Sequence, residues 1–245
     1  MTNRVVIVTA AADGIGAATA RAFASSGDRV VLVDIDRDAV EATAAQIGDA
    51  AVAVVGDVTD EQVVQHVVEG VVAHHGAIDV LVNVVGGSRP GKTAIELTMP
   101  EWQQLLALNL TSTFLMARAV LPMMERAGGG AIVNVSSGAG LRGMARNPGY
   151  CAAKAGVAAL TRALAIDHGP NGVRVNCVAP GPVLTPLMRR NRTPDEIASM
   201  GRLALAGRIA EPSEIAAAIE WLASDAASYV MGQTIEVDGG PSPMI

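Results

Sequence analysis

Aromatic residues are nearly missing from this chain, with two Phe, two Trp and two Tyr among 245 residues. Hydrophobic residues still make up 50%, so Ala, Val and Leu have to fill the core. A chain of this length forms one large α/β domain or two small ones. Cysteine is as scarce. Cys151 and Cys177 make neither a disulfide framework nor a metal site, and both read as small buried hydrophobes. No basic excess exists: the net charge of −6 gives no footprint for nucleic acid or an anionic membrane. No stretch reaches about 18 uncharged apolar residues, so no membrane helix is expected. The run Val5 to Val8 before Ala10, Ala11 and Ala12 faintly resembles a secretion signal, but it is too short and Asp13-Gly14 follows at once. A cytoplasmic protein is expected. The four histidines (66, 74, 75 and 168) lack ligand spacing and are expected to face solvent on helices or their ends.

What is present alternates. Short β-branched runs at residues 4–9, 30–33, 51–55, 79–83, 131–135, 174–178 and 234–237 are separated by helical stretches at about 14–27, 37–47, 60–75, 100–127, 150–169 and 212–223. The strands read as continuously apolar, as strands buried on both faces do. The expectation is a single α/β domain over 1–245, a doubly wound (Rossmann) parallel sheet of about seven strands with helices on both faces. Pro122 is expected to kink the long helix. Residues 136–148 read as a polar loop, and 186–208 as a mobile lid with a short helix after Pro194.

Lysine is scarcer still, with only Lys92 and Lys154 against sixteen arginines. Lys154 lies four residues after Tyr150 in a helical stretch, so the phenol and the ammonium share one helix face. A tyrosine titrates near ~10, and a neighbouring cation favours its phenolate. The pair is a candidate proton-transfer device. At the other end, Asp13, Gly14, Ile15 and Gly16 turn from the first strand into a helix. There the free amides and the helix dipole suit a pyrophosphate. Asp34 closes the second strand about twenty residues on, where a carboxylate accepts both ribose hydroxyls of an adenosine. It also repels a 2′-phosphate. With Asp13 adding negative charge and only Arg37 nearby to offset it, the expected cofactor is NAD.

In order and spacing these segments make the chain resemble a short-chain dehydrogenase/reductase over residues 5–240. Residues 9–16 stand where that family has its Thr-Gly-x-x-x-Gly-x-Gly turn. Asp57 and Val58 match the pair that holds the adenine, and Asn83 opens the segment matching Asn-Asn-Ala-Gly. The resemblance implies that Asn109, Ser137, Tyr150 and Lys154 are catalytic. Ser137 would hold the substrate oxygen, Tyr150 would exchange its proton, Lys154 would lower the tyrosine pKa and hold the nicotinamide ribose, and Asn109 would position a water. Pro180, Gly181, Val183 and Thr185 would flank the nicotinamide, with Tyr150 and Lys154 also touching the cofactor. Two residues depart from the pattern. Ala10 replaces the first glycine and is strained if the backbone there needs a positive φ. Val84 replaces the second asparagine, and a local packing change is expected.

The implied activity is hydride transfer between NAD(H) and a secondary alcohol or ketone. Arg89, Arg142, Arg146, Arg189, Arg190 and Arg192 border the substrate region, and at least one is expected to bind an anionic substrate group. A 3-oxoacyl-carrier-protein reductase is the alternative enzyme, and a dinucleotide-sensing protein the alternative outside enzymes. The resemblance also implies a homotetramer built on the helices at 100–127 and 150–169.

Overall fold

The computed structural model describes residues 3–240. Seven parallel strands form one sheet in the order β3-β2-β1-β4-β5-β6-β7. From the centre, β1 (Val5–Thr9), β2 (Arg29–Asp34) and β3 (Ala51–Val55) run to one edge. Then β4 (Val80–Asn83), β5 (Gly130–Val135), β6 (Val173–Pro180) and β7 (Thr234–Val237) run to the other. The reversal falls between β1 and β4, which pair directly from Val6↔Val80 to Val8↔Val82. Beyond the C-terminal ends of strands at such a reversal lies the crevice where doubly wound sheets bind ligands.

Both faces of the sheet are covered, which is why its strands lack polar alternation. Val5 and Ile7 enter one core with α3 (Glu61–His75), α5 (Ser112–Ala127) and α7 (Pro148–His168). Val6 and Val8 enter the other with α1 (Gly14–Ser25), α2 (Arg37–Ile47) and α10 (Pro212–Ala223). Phe23 is the one aromatic among the largest fully buried side chains. Small branched residues fill these layers at roughly 1.5–3 kcal/mol for each larger side chain buried.

Three segments differ from the sequence reading. The long helix starts at Met99, where Thr98 and Glu101 form a capping box, and is not uniform. After α4 (Met99–Leu106) comes one π-helical turn, Ala107–Thr111, in which the Ser112 amide reaches back to the Ala107 carbonyl. Pro122 lies inside α5 without ending it. By length and composition the continuous Met99–Ala127 segment could cross a membrane, which the count of uncharged residues did not suggest; 50% of its most apolar window is buried in the fold. The expected polar loop holds a five-residue helix, α6 (Gly138–Arg142), and the expected lid holds α8 (Pro186–Asn191) and α9 (Pro194–Gly201).

The turn after β1 settles the question about Ala10. Its φ is +51°, in the left-handed region that disfavours a side chain, and Gly14 follows at +56°. A Cβ on Gly16 would lie 2.0 Å from the Ala10 carbonyl oxygen, so α1 starts hard against this turn. Changing Ala10→Gly should therefore raise stability by about 1 kcal/mol, read as a higher urea midpoint, and leave NADH binding unchanged or tighter. A lower midpoint, or clearly weaker NADH binding, would contradict the strain.

Candidate active site

The crevice begins at the glycine turn. Asp13 is the N-cap of α1 but makes no side-chain cap, and no acidic residue sits in the first turn, so the helix N-terminus is open to an anion. Gly14 is closed over from the lid side: a Cβ there would meet Thr185 Cγ2 at 3.2 Å. Such a cradle fits a dinucleotide pyrophosphate. Asp34, half-buried at the end of β2, accepts the Ala12 amide through Oδ2 and the Asp36 amide through Oδ1, each at 3.0 Å. It thus fastens the turn to β2, and its remaining lone pairs can still take ribose hydroxyls. Asp57 is exposed and caps its own loop through Thr59, while Val58 is buried at 5%. Arg37 does not offset these carboxylates as expected. Arg37 pairs with Glu41, whereas Arg190 of α8 lies 3.7 Å from Asp13, so the offset to Asp13 comes from the lid.

At the C-terminal ends of β4 and β5 sits Lys154, only 2% exposed. Its ammonium donates to the Val135 carbonyl at 2.8 Å and the Val85 carbonyl at 3.4 Å. Burial holds its pKa down to about 8. Asn109, wholly buried in the π turn, clamps the neighbouring loop. Its Nδ2 donates to the Gly87 and Leu105 carbonyls, each at 3.0 Å, and its Oδ1 accepts the Gly87 amide at 2.9 Å. Asn109 thus stands within the π turn, the kind of local widening that helices often carry at functional sites. Gly86 lies between the two groups: a Cβ there would be 2.7 Å from Lys154 Nζ and 2.8 Å from Asn109 Oδ1. Thr9 completes the cluster by accepting the Val84 amide at 3.0 Å. The sequence places Thr9 in the glycine-turn motif, Gly86 in the segment after β4 and Arg190 among the mouth arginines, but not the contacts that they make here.

Tyr150, at the start of α7, is half-buried with the Ser137 hydroxyl beside it. The phenol's pKa is raised: burial pushes it up, the Ser137 hydroxyl pulls it down, and the Cys151 thiol adds a smaller upward push. The expected lowering by Lys154 is not what this geometry gives, because the ammonium is directed at two carbonyls instead. Ser137 is the N-cap of α6 and accepts the Ala139 amide at 3.2 Å. Pro180 ends β6, Val183 bridges to Ala210, and Thr185 caps α8 by accepting the Met188 amide. A Cβ on Gly181 would lie 2.9 Å from Asp238. Asn83 takes a different place. It is 2% exposed and donates to Asn134 across the β4–β5 pair at 2.9 Å, and Asn134 donates to Thr161 at 3.0 Å. This side chain ties the sheet together and does not line the crevice.

The arginines at the mouth are mostly engaged. Arg142 pairs with Glu236 and Asp238, Arg146 with Glu96, and Arg192 with Glu196. Arg146 also donates to the Gly91 carbonyl while its own carbonyl accepts the Gly91 amide at 2.9 Å, joining the two substrate loops. Arg89 reaches Gln104 at 3.4 Å, leaving Arg189 without an ion pair among the described residues. Of the two cysteines, Cys177 is buried, with burial raising its thiol to about 11, and Cys151 is half-buried rather than buried. His66 and His74 are exposed, but His75 and His168 are half-buried, the latter bonded to Glu125 at 2.8 Å. No cluster of three metal-ligating side chains occurs among the described residues.

An open helix N-terminus, an acidic strand end and a Ser–Tyr–Lys set around one crevice define a dinucleotide-dependent oxidoreductase. The family model described as Enoyl-(Acyl carrier protein) reductase matches residues 9–242, and the chain belongs to the short-chain dehydrogenase/reductase family. It is 43% identical to D-threitol dehydrogenase of Mycolicibacterium smegmatis, over 97% of this chain and 92% of that one. It is 44% identical to cis-4-hydroxycyclohexanecarboxylate dehydrogenase of Sinomonas cyclohexanicum (97% and 96%) and 40% identical to meso-2,3-butanediol dehydrogenase of Serratia marcescens (97% and 94%). The crystal structure of gox2181 superposes with a TM-score of 0.93 at 33% identity, covering 98% of this chain and 95% of that chain.

The buried lysine carries a pH signature. Its pKa of about 8 lies below the ordinary 10.5, so keeping it charged costs stability below about pH 8, and the cost fades as pH rises toward 10.5. The stability difference between the wild type and Lys154→Met should move in the wild type's favour across that window, by on the order of 3 kcal/mol. A difference that stays flat with pH in urea melts would contradict the buried charge.

Proposed function

We propose that this enzyme is an NAD(H)-dependent dehydrogenase of small hydroxylated substrates, interconverting a secondary alcohol and its ketone. The observation that carries the reading is Tyr150 beside the Ser137 hydroxyl, with the buried Lys154 one helical turn further on and the glycine turn across the crevice. Asp13, Gly14, Ile15 and Gly16 hold the pyrophosphate. Asp34 takes the adenosine ribose, Asp57 and Val58 the adenine, and Pro180, Gly181, Val183 and Thr185 the nicotinamide. Bound there, the nicotinamide accepts or supplies the hydride.

The chain's own residues position the substrate and move one proton. Ser137 Oγ holds the substrate oxygen against the Tyr150 hydroxyl. Burial keeps Tyr150 protonated at neutral pH, so the residue is set to donate to a carbonyl oxygen in reduction and to accept the alcohol proton in oxidation. Lys154 orders the cofactor ribose, and its pKa of about 8 lets it exchange a proton near neutrality. Asn109 holds the Gly86–Gly87 loop beside that ammonium and positions the water that leads to solvent.

Preference for NAD over NADP rests on Asp34, since Arg190 offsets Asp13. The relatives named for a polyol, a diol and a hydroxy acid support a compact hydroxylated substrate. An anionic group on it would fall to Arg189 or Arg89. A reductase acting on carrier-bound thioesters has less support, because the basic residues that would face an acidic carrier are paired with carboxylates. Residues 186–208 act as the substrate lid of a single domain, and the cytoplasmic enzyme assembles as a homotetramer through α4–α5 and α7.

Turnover of NAD+ with D-threitol, meso-2,3-butanediol and cis-4-hydroxycyclohexanecarboxylate, followed at the nicotinamide band, tests the reading. At least one should be oxidised. NADH should bind about tenfold or more tightly than NADPH, a gap that Asp34→Ala narrows. Tyr150→Phe should lower kcat by roughly 10²- to 10⁴-fold with NADH binding retained. A Tyr150→Phe enzyme that keeps its rate, or a preference for NADPH, would overturn the assignment. Dinucleotide binding with no turnover of any alcohol would favour a sensor.

A further inference from the structure

Arg142 is the one mouth arginine whose fork closes on two carboxylates from another element, Glu236 of β7 and Asp238 just beyond it, the latter at 2.7 Å. Asp238 is 9% exposed on its side chain and also accepts the Gly240 amide, so this anchor is itself held. Its partner element is fragile. Helix α6 has five residues, far too few to be stable alone. Its first turn is capped by Ser137, so any rotation of α6 carries Ser137 Oγ with it.

Two close approaches define how α6 sits, one against α7 and one within α6 itself. A Cβ on Gly140 would lie 2.7 Å from the Lys154 carbonyl carbon and the Ala155 amide, so α6 rests directly on the α7 backbone. A Cβ on Gly138 would lie 2.6 Å from Arg142 Nη2, so the guanidinium folds back over the residue that follows Ser137. We infer that Arg142 is a positioning residue: by tying α6 to Glu236 and Asp238, it fixes the place of Ser137 Oγ against Tyr150. The inference rests on the Ser137–Tyr150 pair proposed above. Exposed ion pairs contribute little to overall stability, and a bidentate arginine acts here through geometry.

Having only two tyrosines makes this directly readable. Tyr229 is fully exposed at 102%, so Tyr229→Phe leaves a single phenol whose ¹³Cζ resonance reports the hydrogen bond at Tyr150. In the full-length Tyr229→Phe protein near pH 7.5, Ser137→Ala should shift that resonance. Arg142→Gln should shift it in the same direction, and the double variant should go no further than Ser137→Ala alone. Glu236→Gln removes one carboxylate without touching α6 and should give a smaller shift of the same sign. With meso-2,3-butanediol or the best alcohol of the panel, Arg142→Gln should lower kcat about tenfold while the NADH Kd stays within twofold. If Arg142→Gln does not fold, Arg142→Lys and Glu236→Gln provide the same comparison. A resonance that Ser137→Ala moves and Arg142→Gln and Glu236→Gln leave in place would overturn the positioning role alone. A resonance indifferent to Ser137→Ala would overturn the Ser137–Tyr150 pair, and this inference with it.

Discussion

One buried cation sets the terms for the rest of this site. Among the described residues the Lys154 ammonium has no carboxylate partner; two main-chain carbonyls, at the ends of β4 and β5, receive it. A charge so held is expensive, and the surroundings adapt to it. Gly86 has no side chain because Nζ and Asn109 Oδ1 take that space. The helix over Asn109 opens by one residue so that its amide can hold the adjoining loop. Thr9 and Asn83 lock β4 to β1 and β5, which keeps the two carbonyls where the ammonium needs them.

Around this centre the mouth is assembled from short, individually unstable pieces. The segment between Ser137 and Tyr150 is pinned by Arg142 toward β7 and by Arg146 toward residues 91 and 96. Helix α8 and its cap rest on the glycine turn through Thr185 against Gly14 and through Arg190 near Asp13. Arginine abundance at this mouth therefore reflects scaffolding more than recognition of an anion. A compact neutral substrate needs none of these charges.

Much of this was legible in the sequence, for identifiable reasons. The alternation of apolar runs and helices follows from burying both sheet faces, so the parallel sheet of seven strands and its two helix layers came through. The glycine turn, Asp34, Ser137, Tyr150 and Lys154 could be named as candidates because short loops leave little freedom between motif and position. The conditional expectation about Ala10 held, since its φ is positive. What escaped depends on partners far apart in the chain. The π turn at Asn109 has no propensity signature, and only the Gly87 carbonyl and amide explain it. The direction of the Tyr150 pKa escaped because helix spacing shows that two side chains share a face but not where the ammonium finds acceptors. Asn83 read as a cofactor residue because its burial against Asn134 is a cross-strand fact.

The most direct test of this account is the titration of Lys154 itself. The chain has two lysines, so ¹⁵Nζ,¹³Cε-lysine labelling gives two signals, and Lys92→Arg assigns them. A buried ammonium held by two carbonyls should titrate near pH 8. A midpoint close to the ordinary 10.5 would mean that the charge is solvated or paired, and that the site is not built around a buried cation.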